Sequence, residues 1–335
     1  MSKTIIPEGY KSSLNLFDTQ IAIGKLKRIF EDNLAQALNL KRVSAPLFVD
    51  PQTGINDNLN GVERPVTFDI PEVKKNGEIV HSLAKWKRMA LKKYDFRPGV
   101  GLYTDMNAIR RDEELSNIHS IYVDQWDWEK VISKDDRTEC YLKDTVNKIV
   151  GAVCDTLDTL KARYPQITTE IKREVSFVTS QELLDLYPKM TEKEREDAYL
   201  KEHKTAFIMK IGDKLSNGKP HDGRAPDYDD WTLNGDIMFW NDLLGRAFEV
   251  SSMGIRVDEK ALDRQLTAAG CDDRRGLPFH KMLLDGELPL TIGGGIGQSR
   301  LSMLILGKAH IGEVQVSLWD EDTAKACNDA GIILL

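Results

Sequence analysis

Two segments joined by a short charged turn constrain the fold of this 335-residue chain more than any other feature. They are "LYTDMNAIR" at 102–110 and "HSIYVDQWDWE" at 119–129, with "RDEELSN" between them. Strand-like segments on both sides of a short turn predict an antiparallel β-hairpin. The hairpin in turn requires a partner layer, because one of its faces must be buried.

The rest of the chain predicts how this hairpin is extended and covered. Five further strand candidates lie at 174–180, 205–211, 235–240, 246–252 and 314–319. Apolar residues at helical spacing predict helices at 18–40, 141–163, 180–187, 191–203, 258–269 and 298–306, the first capped by Asp18. Because the strands are mostly consecutive, we expect an α+β fold, a central antiparallel sheet flanked by helices. No repeat or linker divides the chain, so residues 1–335 are expected to form a single domain.

Composition and charge exclude several classes of protein. The net charge is -7, which offers no general attraction for nucleic acid or an anionic membrane. The four cysteines show neither Cys-x-x-Cys spacing nor a metal-ligand pattern, and no apolar run approaches membrane-spanning length. We therefore expect a soluble, cytoplasmic protein with reduced thiols and no nucleic-acid or membrane partner.

The segment "TIGGGIGQSRLSMLIL" at 291–306 begins with a glycine-rich stretch that leads into the last predicted helix. Its backbone can approach a ligand closely, and a helix N-terminus after it would be an anion site. Arg300 would add a fixed cation there. The stretch fits neither the Walker nor the dinucleotide pattern, and a tight strand-to-helix turn without a ligand is the alternative.

The second strand of the hairpin carries an unusual set of polar side chains. Alternation places Gln125, Asp127 and Glu129 on one face, while two tryptophans lie on the other. If that face is covered, the polar groups need partners or a ligand, and Arg110 at the end of the opposing strand could supply a cation. An outward, solvated face is the alternative.

Two further segments carry candidate binding groups. Asp57 lies in the polar loop "TGINDNLNG", where a solvated acid is the simpler interpretation. His81 and Ser82 precede a helix with Lys85, Lys87 and Arg88. Cations near a helix start are unfavourable to its dipole, so an anionic ligand is expected there, unless the cations form a solvated face.

Acidic residues dominate the region before the glycine-rich stretch. The segment "HDGRAPDYDDW" at 221–231 contains four aspartates, which indicate cation binding or an ordinary salt-bridged loop. Asp236 and Glu249 lie on adjacent strand candidates, and two carboxylates across a sheet repel unless a cation joins them. With the fixed arginines, such a pair suits Mg²⁺ and a reaction on a nucleoside triphosphate. Solvated acids that do not face each other are the alternative.

Several of these strings together resemble a known family. The first helix with the strand near Pro46, "IRRDEE" with "YVDQWDWE", and "GGGIGQSRLSML" resemble motifs 1, 2 and 3 of class II aminoacyl-tRNA synthetases, in that order. "HSLAKWKR" is similar to a Gln-Ser-Pro-Gln…Lys segment of the aspartyl enzymes, with Ser82 and Lys87 at the matching positions. Nearly the whole chain resembles the ammonia-dependent asparagine synthetases through "VHSLAKWKR", "RAPDYDDW", "LNGDI", "SSMGIRVD" and "TIGGGIGQSR".

This resemblance implies a class II-like fold, a homodimer, and the reaction of L-aspartate, ATP and ammonia to asparagine, AMP and diphosphate through a β-aspartyl-adenylate. The implied catalytic residues are Asp57, Arg110, Asp127, Asp229 and Arg300. The implied aspartate-binding residues are Ser82, Lys87, Gln125, Ser252 and Arg256. The implied ATP-binding residues are Arg110, Asp112, Glu113, Glu249, Gly295 and Arg300, and Asp236 with Glu249 would hold Mg²⁺.

Three points stay open at this level. Either Asp112 or Glu113 could read the adenine amino group, and any of three aspartates could receive ammonium. A tRNA ligase and a non-catalytic amino-acid sensor are the rival functions. The acidic balance and the short segment before the first motif disfavour the ligase, and the presence of both Arg110 and Arg300 disfavours the sensor. Residues 1–15 contain no cysteine, so free ammonia is the expected nitrogen donor.

Overall fold

The computed structural model describes residues 4–57 and 63–335. The end of the predicted "TGINDNLNG" loop, residues 58–61, lies outside the described residues. The helices are α1 Leu16–Leu38, α2 Ala84–Lys93, α3 Glu139–Arg163, α4 Ser180–Leu186, α5 Glu192–His203, α6 Glu259–Ala268, α7 Pro278–Leu284, α8 Gln298–Ile305 and α9 Glu321–Asp329. The strands are β1 Leu40–Arg42, β2 Phe48–Val49, β3 Thr67–Ile70, β4 Lys75–Ile79, β5 Gly101–Ile109, β6 Tyr122–Val131, β7 Ser176–Thr179, β8 Thr205–Met209, β9 Asp229–Asn241, β10 Arg246–Arg256 and β11 Thr291–Gly297. Short 3-10 helices cover Pro51–Thr53, Asp272–Gly276 and Ile311–Glu313.

A large mixed sheet organises the protein, in the strand order β1-β5-β6-β11-β10-β9-β8-β7. The six inner strands run antiparallel to one another, and the edge strands β1 and β7 pair in parallel with β5 and β8. The predicted hairpin is β5 and β6, with Met106 opposite Gln125 and Thr104 opposite Asp127. The α+β prediction with a central antiparallel sheet is therefore confirmed. A separate three-stranded sheet, β2-β4-β3, lies outside it.

The main core forms on the face of β6 that carries the tryptophans. Trp126 and Trp128 are fully buried in one cluster with the apolar stripes of α1 and α3, and the rings of Phe30 and Trp126 lie 4.7 Å apart. Burying these three large rings fixes α1 and α3 against the sheet. The opposite face of β6 is also covered, since Asp127 is 2% and Glu129 is 0% exposed. The solvated-face alternative for this strand is therefore wrong.

The first helix begins at Leu16, before the start predicted from a cap at Asp18. Asn15 is the N-cap, and its side chain accepts from the backbone N–H of Asp18, so that Asp18 lies inside the first turn. Both residue types cap well, and a carboxylate in the first turn also favours the helix dipole. The helix ends at Asn39, which adopts a left-handed conformation with φ 57°.

The glycine-rich stretch is a strand, and the prediction of a loop there is wrong. β11 pairs with β6 on one side and β10 on the other, and none of its glycines has a positive φ. A Cβ on Gly293 would lie 2.7 Å from the carbonyl oxygen of Trp128, and one on Gly294 would lie 2.5 Å from Cβ of Met253. The glycines therefore allow close packing against neighbouring residues, rather than a turn.

The predicted strand at 314–319 is also wrong. This segment runs irregularly after the 3-10 helix Ile311–Glu313. Gln315 is instead held by its side chain, which donates to Ser299 Oγ at 3.0 Å and to Asp124 Oδ1 at 3.3 Å. Side-chain contacts to α8 replace the strand pairing that the alternating pattern indicates.

Two sequence-level expectations about the chain as a whole can be compared with the structure. All four cysteines are free, as predicted. Among the described residues, no helix is both long and apolar enough to cross a membrane.

Candidate functional site

A cavity of about 390 Å³ opens over the polar face of β6. Its lining contains every implied site residue except Asp236, which lies beside it. These residues are Asp57, Ser82, Lys87, Arg110, Asp112, Glu113, Gln125, Asp127, Asp229, Glu249, Ser252, Arg256, Gly295 and Arg300. The sheet therefore brings together candidates that are spread over most of the sequence.

Lys87 forms a buried ion pair at the base of this cavity. Its ammonium donates to Asp127 Oδ1, to the carbonyl of Trp128 at 3.0 Å and to that of Gly294 at 3.2 Å. Burial lowers the pKa of Lys87, and the charge of Asp127 opposes that shift. An ammonium has three N–H donors, and these three acceptors therefore give each of them a partner within the protein. Lys87 thus differs from the expected free cation that would grip a carboxylate directly.

Arg256 is a second buried cation at the same end of the cavity as Lys87. It pairs with Asp229 Oδ1 and with Glu129 Oε2, and its guanidinium lies 5.8 Å from the ring of Tyr228. Although burial opposes it, the carboxylates of Asp229 and Glu129 raise the pKa of Arg256. The planar fork of arginine suits two carboxylates and a stacked ring at once. Arg256 is therefore held in one orientation before any substrate arrives.

Asp57 is positioned by the residues around it. Its Oδ2 accepts from the hydroxyl of Ser82 at 2.9 Å, and its backbone carbonyl contacts His81 Nδ1 at 3.0 Å. The side chain of Asn56 accepts from the backbone N–H groups of both Asp57 and His81. These bonds fix the carboxylate of Asp57 on the same side of the cavity as Lys87 and Asp127.

The other end of the cavity carries two less buried arginines. Arg110 lies 3.9 Å from Glu113 Oε2, and Arg300 lies 3.6 Å from Glu249 Oε2. Arg300 also donates to the carbonyls of Ile118 and Glu249. Neither guanidinium is saturated by close carboxylates, so both can still contact an anion.

The structure separates the two acids that the sequence leaves equivalent. Asp112 accepts from the guanidinium and backbone N–H of Arg64, which lowers its pKa. Glu113 is more buried, and this burial raises its pKa despite Arg110 nearby. Glu113 is thus the acid with less of its hydrogen-bonding capacity already used.

Asp236 and Glu249 do lie on adjacent strands, as predicted. Glu249 is opposite Met238, two residues after Asp236 in β9, so the two acids are diagonal neighbours on one face. Arg224 donates to Asp236 Oδ2, while the buried Oδ1 has no partner among the described residues. Burial, opposed by Arg224 and reinforced by Glu249, raises the pKa of Asp236 to about 7. Although burial opposes it, Arg300 lowers the pKa of Glu249.

The N-terminus of α8 is not an open anion site, contrary to the expectation from the glycine-rich stretch. The carboxylate of Asp124 already accepts from the backbone N–H of Ser299 at 3.0 Å. It also pairs with Lys27 of α1 at 3.0 Å. The helix dipole is therefore satisfied by the protein itself, and an anion at this end must use Arg300.

Other predicted candidates serve the fold. Lys85 pairs with Asp227, and Arg88 donates to the carbonyls of Pro289 and Val257, so neither forms a ligand site or a solvated face. Asp230 pairs with Arg137 away from the cavity. Of the cations in α2 named from the sequence, only Lys87 lines the cavity.

Several polar residues of the cavity were not identified as site residues from the sequence, among them Arg224, Tyr228 and His119. Arg224 and Tyr228 lie within the acid-rich segment, whose density of charge was their only signal. His119 also lines the cavity, and burial, with Arg300 nearby, lowers its pKa to about 3. Its imidazole is therefore neutral at physiological pH. No local pattern marks a half-buried histidine at an isolated β-bridge.

Comparison with known proteins identifies the family of this chain. A family model described as aspartate-ammonia ligase matches residues 17–331. The chain is 60% identical over 336 residues to a protein of Ruminiclostridium cellulolyticum named aspartate–ammonia ligase, covering 100% of both chains. It is 57% identical to the protein of that name from Lactobacillus johnsonii, covering 99% of each.

Solved structures give the same fold at low identity. Asparaginyl-tRNA synthetase of Entamoeba histolytica, in complex with asparaginyl-adenylate, matches with a TM-score of 0.64 and 12% identity, over 90% of this chain and 66% of that one. The enzyme of Pyrococcus horikoshii matches with a TM-score of 0.64 and 15% identity, over 90% and 70%. The class II-like fold is thereby confirmed, and with the matches over the full length, the chain belongs to the aspartate–ammonia ligase family.

Proposed function

We propose that this protein makes L-asparagine from L-aspartate, ATP and ammonia, releasing AMP and diphosphate, as a single catalytic domain in the cytoplasm. The observation that carries the proposal is the division of one cavity into two ends. One end contains buried, mutually paired groups, including Lys87–Asp127 and Arg256–Asp229, which suit a small zwitterion. The other contains Arg110 and Arg300, which suit phosphate.

In the first step a β-carboxylate oxygen of aspartate attacks the α-phosphorus of ATP, and the bond to diphosphate breaks. Two anions must approach each other, so the site must neutralise charge. We assign Arg110 to the α-phosphate, Arg300 to the adenine side or the terminal phosphate, and Glu113 to the adenine amino group. Fixed arginines cost little reorganisation as the charge moves.

Mg²⁺ fits the acids beside the arginines. Mg²⁺ typically uses one or two protein carboxylates together with substrate phosphates and water. Asp236 and Glu249 provide such a pair, and the buried Oδ1 of Asp236, which has no partner among the described residues, is a carboxylate oxygen still available to a cation. The bound ion would neutralise phosphate charge. Arg224 would then keep the second oxygen of Asp236 in place.

Aspartate has a carboxylate at each end, and we infer that the α-carboxylate lies toward Lys87 and Arg256. Because the N–H donors of Lys87 already have partners, this lysine contributes its charge more than a direct bond. Gln125 and Ser252 line the same end and can donate to the substrate. With the α-carboxylate held there, the β-carboxylate faces ATP.

In the second step ammonia attacks the acyl carbon, and the bond to AMP breaks. Ammonium must first lose a proton, and a carboxylate near the acyl group can attract the cation and accept that proton. Asp57, Asp127 and Asp229 all line the cavity. We assign this role to Asp57, whose carboxylate is oriented by the hydroxyl of Ser82, and we keep Asp127 and Asp229 as the alternatives.

Replacing Asp57 with Asn tests this assignment. Aspartate-dependent exchange of diphosphate into ATP should persist, because adenylation does not need ammonia. The ammonium concentration for half-maximal asparagine formation should rise, and the rate at limiting ammonium should fall about a hundredfold or more, the usual scale for a lost acid–base group. If exchange and amide formation fall together, Asp57 acts in adenylation, and the ammonia role moves to Asp127 or Asp229.

The activity itself is tested with the wild-type protein. We expect diphosphate exchange with aspartate, followed by AMP release that requires ammonium and is indifferent to tRNA. AMP release that requires tRNA would identify a tRNA ligase. Absence of exchange with aspartate would reject the proposal and favour a non-catalytic protein.

We also propose that the protein is a homodimer, joined in part through α1. The start of this helix leaves Leu16, Phe17 and Ile21 exposed, and Phe17 is 74% accessible. A two-fold interface would pair this patch with its own copy. Light scattering at micromolar concentration should give twice the chain mass, and Phe17→Asp should shift it toward the monomer. A wild-type monomer would contradict the proposal.

A further inference from the structure

A buried charge cluster lies behind the aspartate end of the cavity. Asp227 is fully buried, and its Oδ2 lies 3.0 Å from Arg274 Nη1, 3.0 Å from His280 Nε2 and 3.5 Å from Lys85 Nζ. None of these four side chains lines the cavity. They come from three separate parts of the chain, namely α2, the segment before β9, and the region of α7 with its preceding 3-10 helix.

Two of these three parts also carry residues of the cavity. Lys85 lies two positions before Lys87 in α2, and Asp227 lies two positions before Asp229 at the start of β9. The cluster thus joins two walls of the aspartate end from behind. The arginines at the phosphate end pair instead with Glu113 and Glu249, which are not members of the cluster.

The third part supports the loop that carries Asp57. Gly54 packs so closely on Leu277 that a Cβ there would lie 2.9 Å from Leu277 Cδ1. Leu277 follows the 3-10 helix that contains Arg274, and Gly54 lies three residues before Asp57. A displacement of the 3-10 helix would therefore move the surface on which the Asp57 loop rests.

Stability alone does not account for this arrangement. Three cationic or protonatable side chains share one buried carboxylate oxygen, and such desolvated clusters contribute little net stability. What the cluster provides is a fixed relation between α2, β9 and the 3-10 helix. Small errors of position at a reacting group are costly, so a fixed relation has a direct kinetic use.

We propose that Arg274 and Asp227 are positioning residues, which hold the segment 54–57 (the Asp57 loop) in place and thereby set the apparent affinity of the protein for ammonium. The proposal rests on the function proposed above. Arg274 acts through Asp227 and Leu277, and it does not touch the substrates. Its loss should affect ammonium before it affects ATP.

Arg274→Met tests the proposal, with Arg275→Met as the matched control. Arg275 is the next residue, and it pairs with Asp263 and Asp272 instead of Asp227. Amide hydrogen exchange of a peptide covering residues 50–57 is the first measurement. We expect exchange about fivefold faster in Arg274→Met, no change in Arg275→Met, and partial recovery in Arg274→Lys, which keeps the charge.

Kinetics provide the second measurement. The KM for ammonium should rise about fivefold in Arg274→Met, while the KM for ATP stays within about twofold. Unchanged exchange of residues 50–57, or a fall in kcat with every KM unchanged, would overturn the proposal. If Arg274→Met does not fold, Arg274→Gln replaces it with the same expectations. Exchange does not depend on catalysis, so it decides the positioning role even if the wild-type protein makes no asparagine.

Discussion

The ion pair between Lys87 and Asp127 makes a sharp prediction, because the structure assigns Lys87 a different role from the one its sequence implies. Lys87→Met would remove the ammonium and leave Asp127, which is 2% exposed, with the backbone N–H of Leu83 as its one remaining hydrogen-bond donor among the described residues. Removing one partner of a buried ion pair typically costs about 3–5 kcal/mol. At roughly 2 cal/mol/K of unfolding entropy per residue, about 4 kcal/mol lowers the Tm of this chain by roughly 6 °C.

Substituting the other partner of the ion pair, Asp127, should destabilise the protein less. Asp127→Asn leaves Lys87 with two backbone carbonyls and an amide oxygen, and burial already lowers the pKa of Lys87, so the lysine can become neutral. We expect roughly half the loss in Tm. The double variant Lys87→Met, Asp127→Asn should be more stable than Lys87→Met alone, because no uncompensated charge remains.

Thermal unfolding without substrates measures these effects, with Lys93→Met as the control. Lys93 lies in the last turn of the same helix and is exposed, so its substitution should change the Tm little. If Lys87→Met unfolds within about 1 °C of wild type and only raises the KM for aspartate, the reasoning fails. Lys87 would then be a free cation that binds the substrate directly.

Two further predictions concern the glycine-rich strand and acid stability. Gly294→Ala should prevent folding, which circular dichroism would show, because its Cβ would meet fixed atoms of β10. Gly295→Ala should fold, but its Cβ would displace the flexible end of the Gln125 side chain, so steady-state kinetics should show a raised KM for aspartate. A raised KM for ATP instead would restore the phosphate-loop interpretation. Burial lowers the pKa of His310 to about 4, so the unfolded chain binds a proton below pH 6.5 that the folded protein does not. The contribution of neutral His310 to the free energy of unfolding is therefore complete above pH 6.5 and is lost as the pH falls toward 4, with about 2 kcal/mol lost at pH 5. Urea midpoints should fall over that range, and His310→Gln should make the fall smaller.

Local patterns were sufficient for much of the fold and for the family. Alternation in β6 correctly separated Trp126 and Trp128 from Gln125, Asp127 and Glu129, because successive side chains of a strand point to opposite faces. The stripes of α1 and α3 were equally readable. These features depend on neighbours within a few residues, and such short-range periodicity is present in the sequence itself.

The ion-pair and hydrogen-bond partners of charged groups could not be predicted from the sequence in the same way. Lys87 donates to a carbonyl 207 positions away, and Arg256 of β10 pairs with Asp229 on the neighbouring strand β9. Sequence can indicate that a buried charge needs a partner, but several acids satisfied that need equally until the strands were placed in register. The same limit left Asp112 and Glu113 equivalent until Arg64 was found on Asp112.

The glycine-rich stretch illustrates the division most clearly. Its sequence determined that backbone would approach something closely, and this is true of β11. Whether that neighbour is a phosphate, a turn or the next strand depends on what lies beside it in three dimensions. Only the tertiary structure placed Trp128 and Met253 against these glycines and Asp124 at the N-terminus of α8, because close packing is a relation between segments that are distant in the chain.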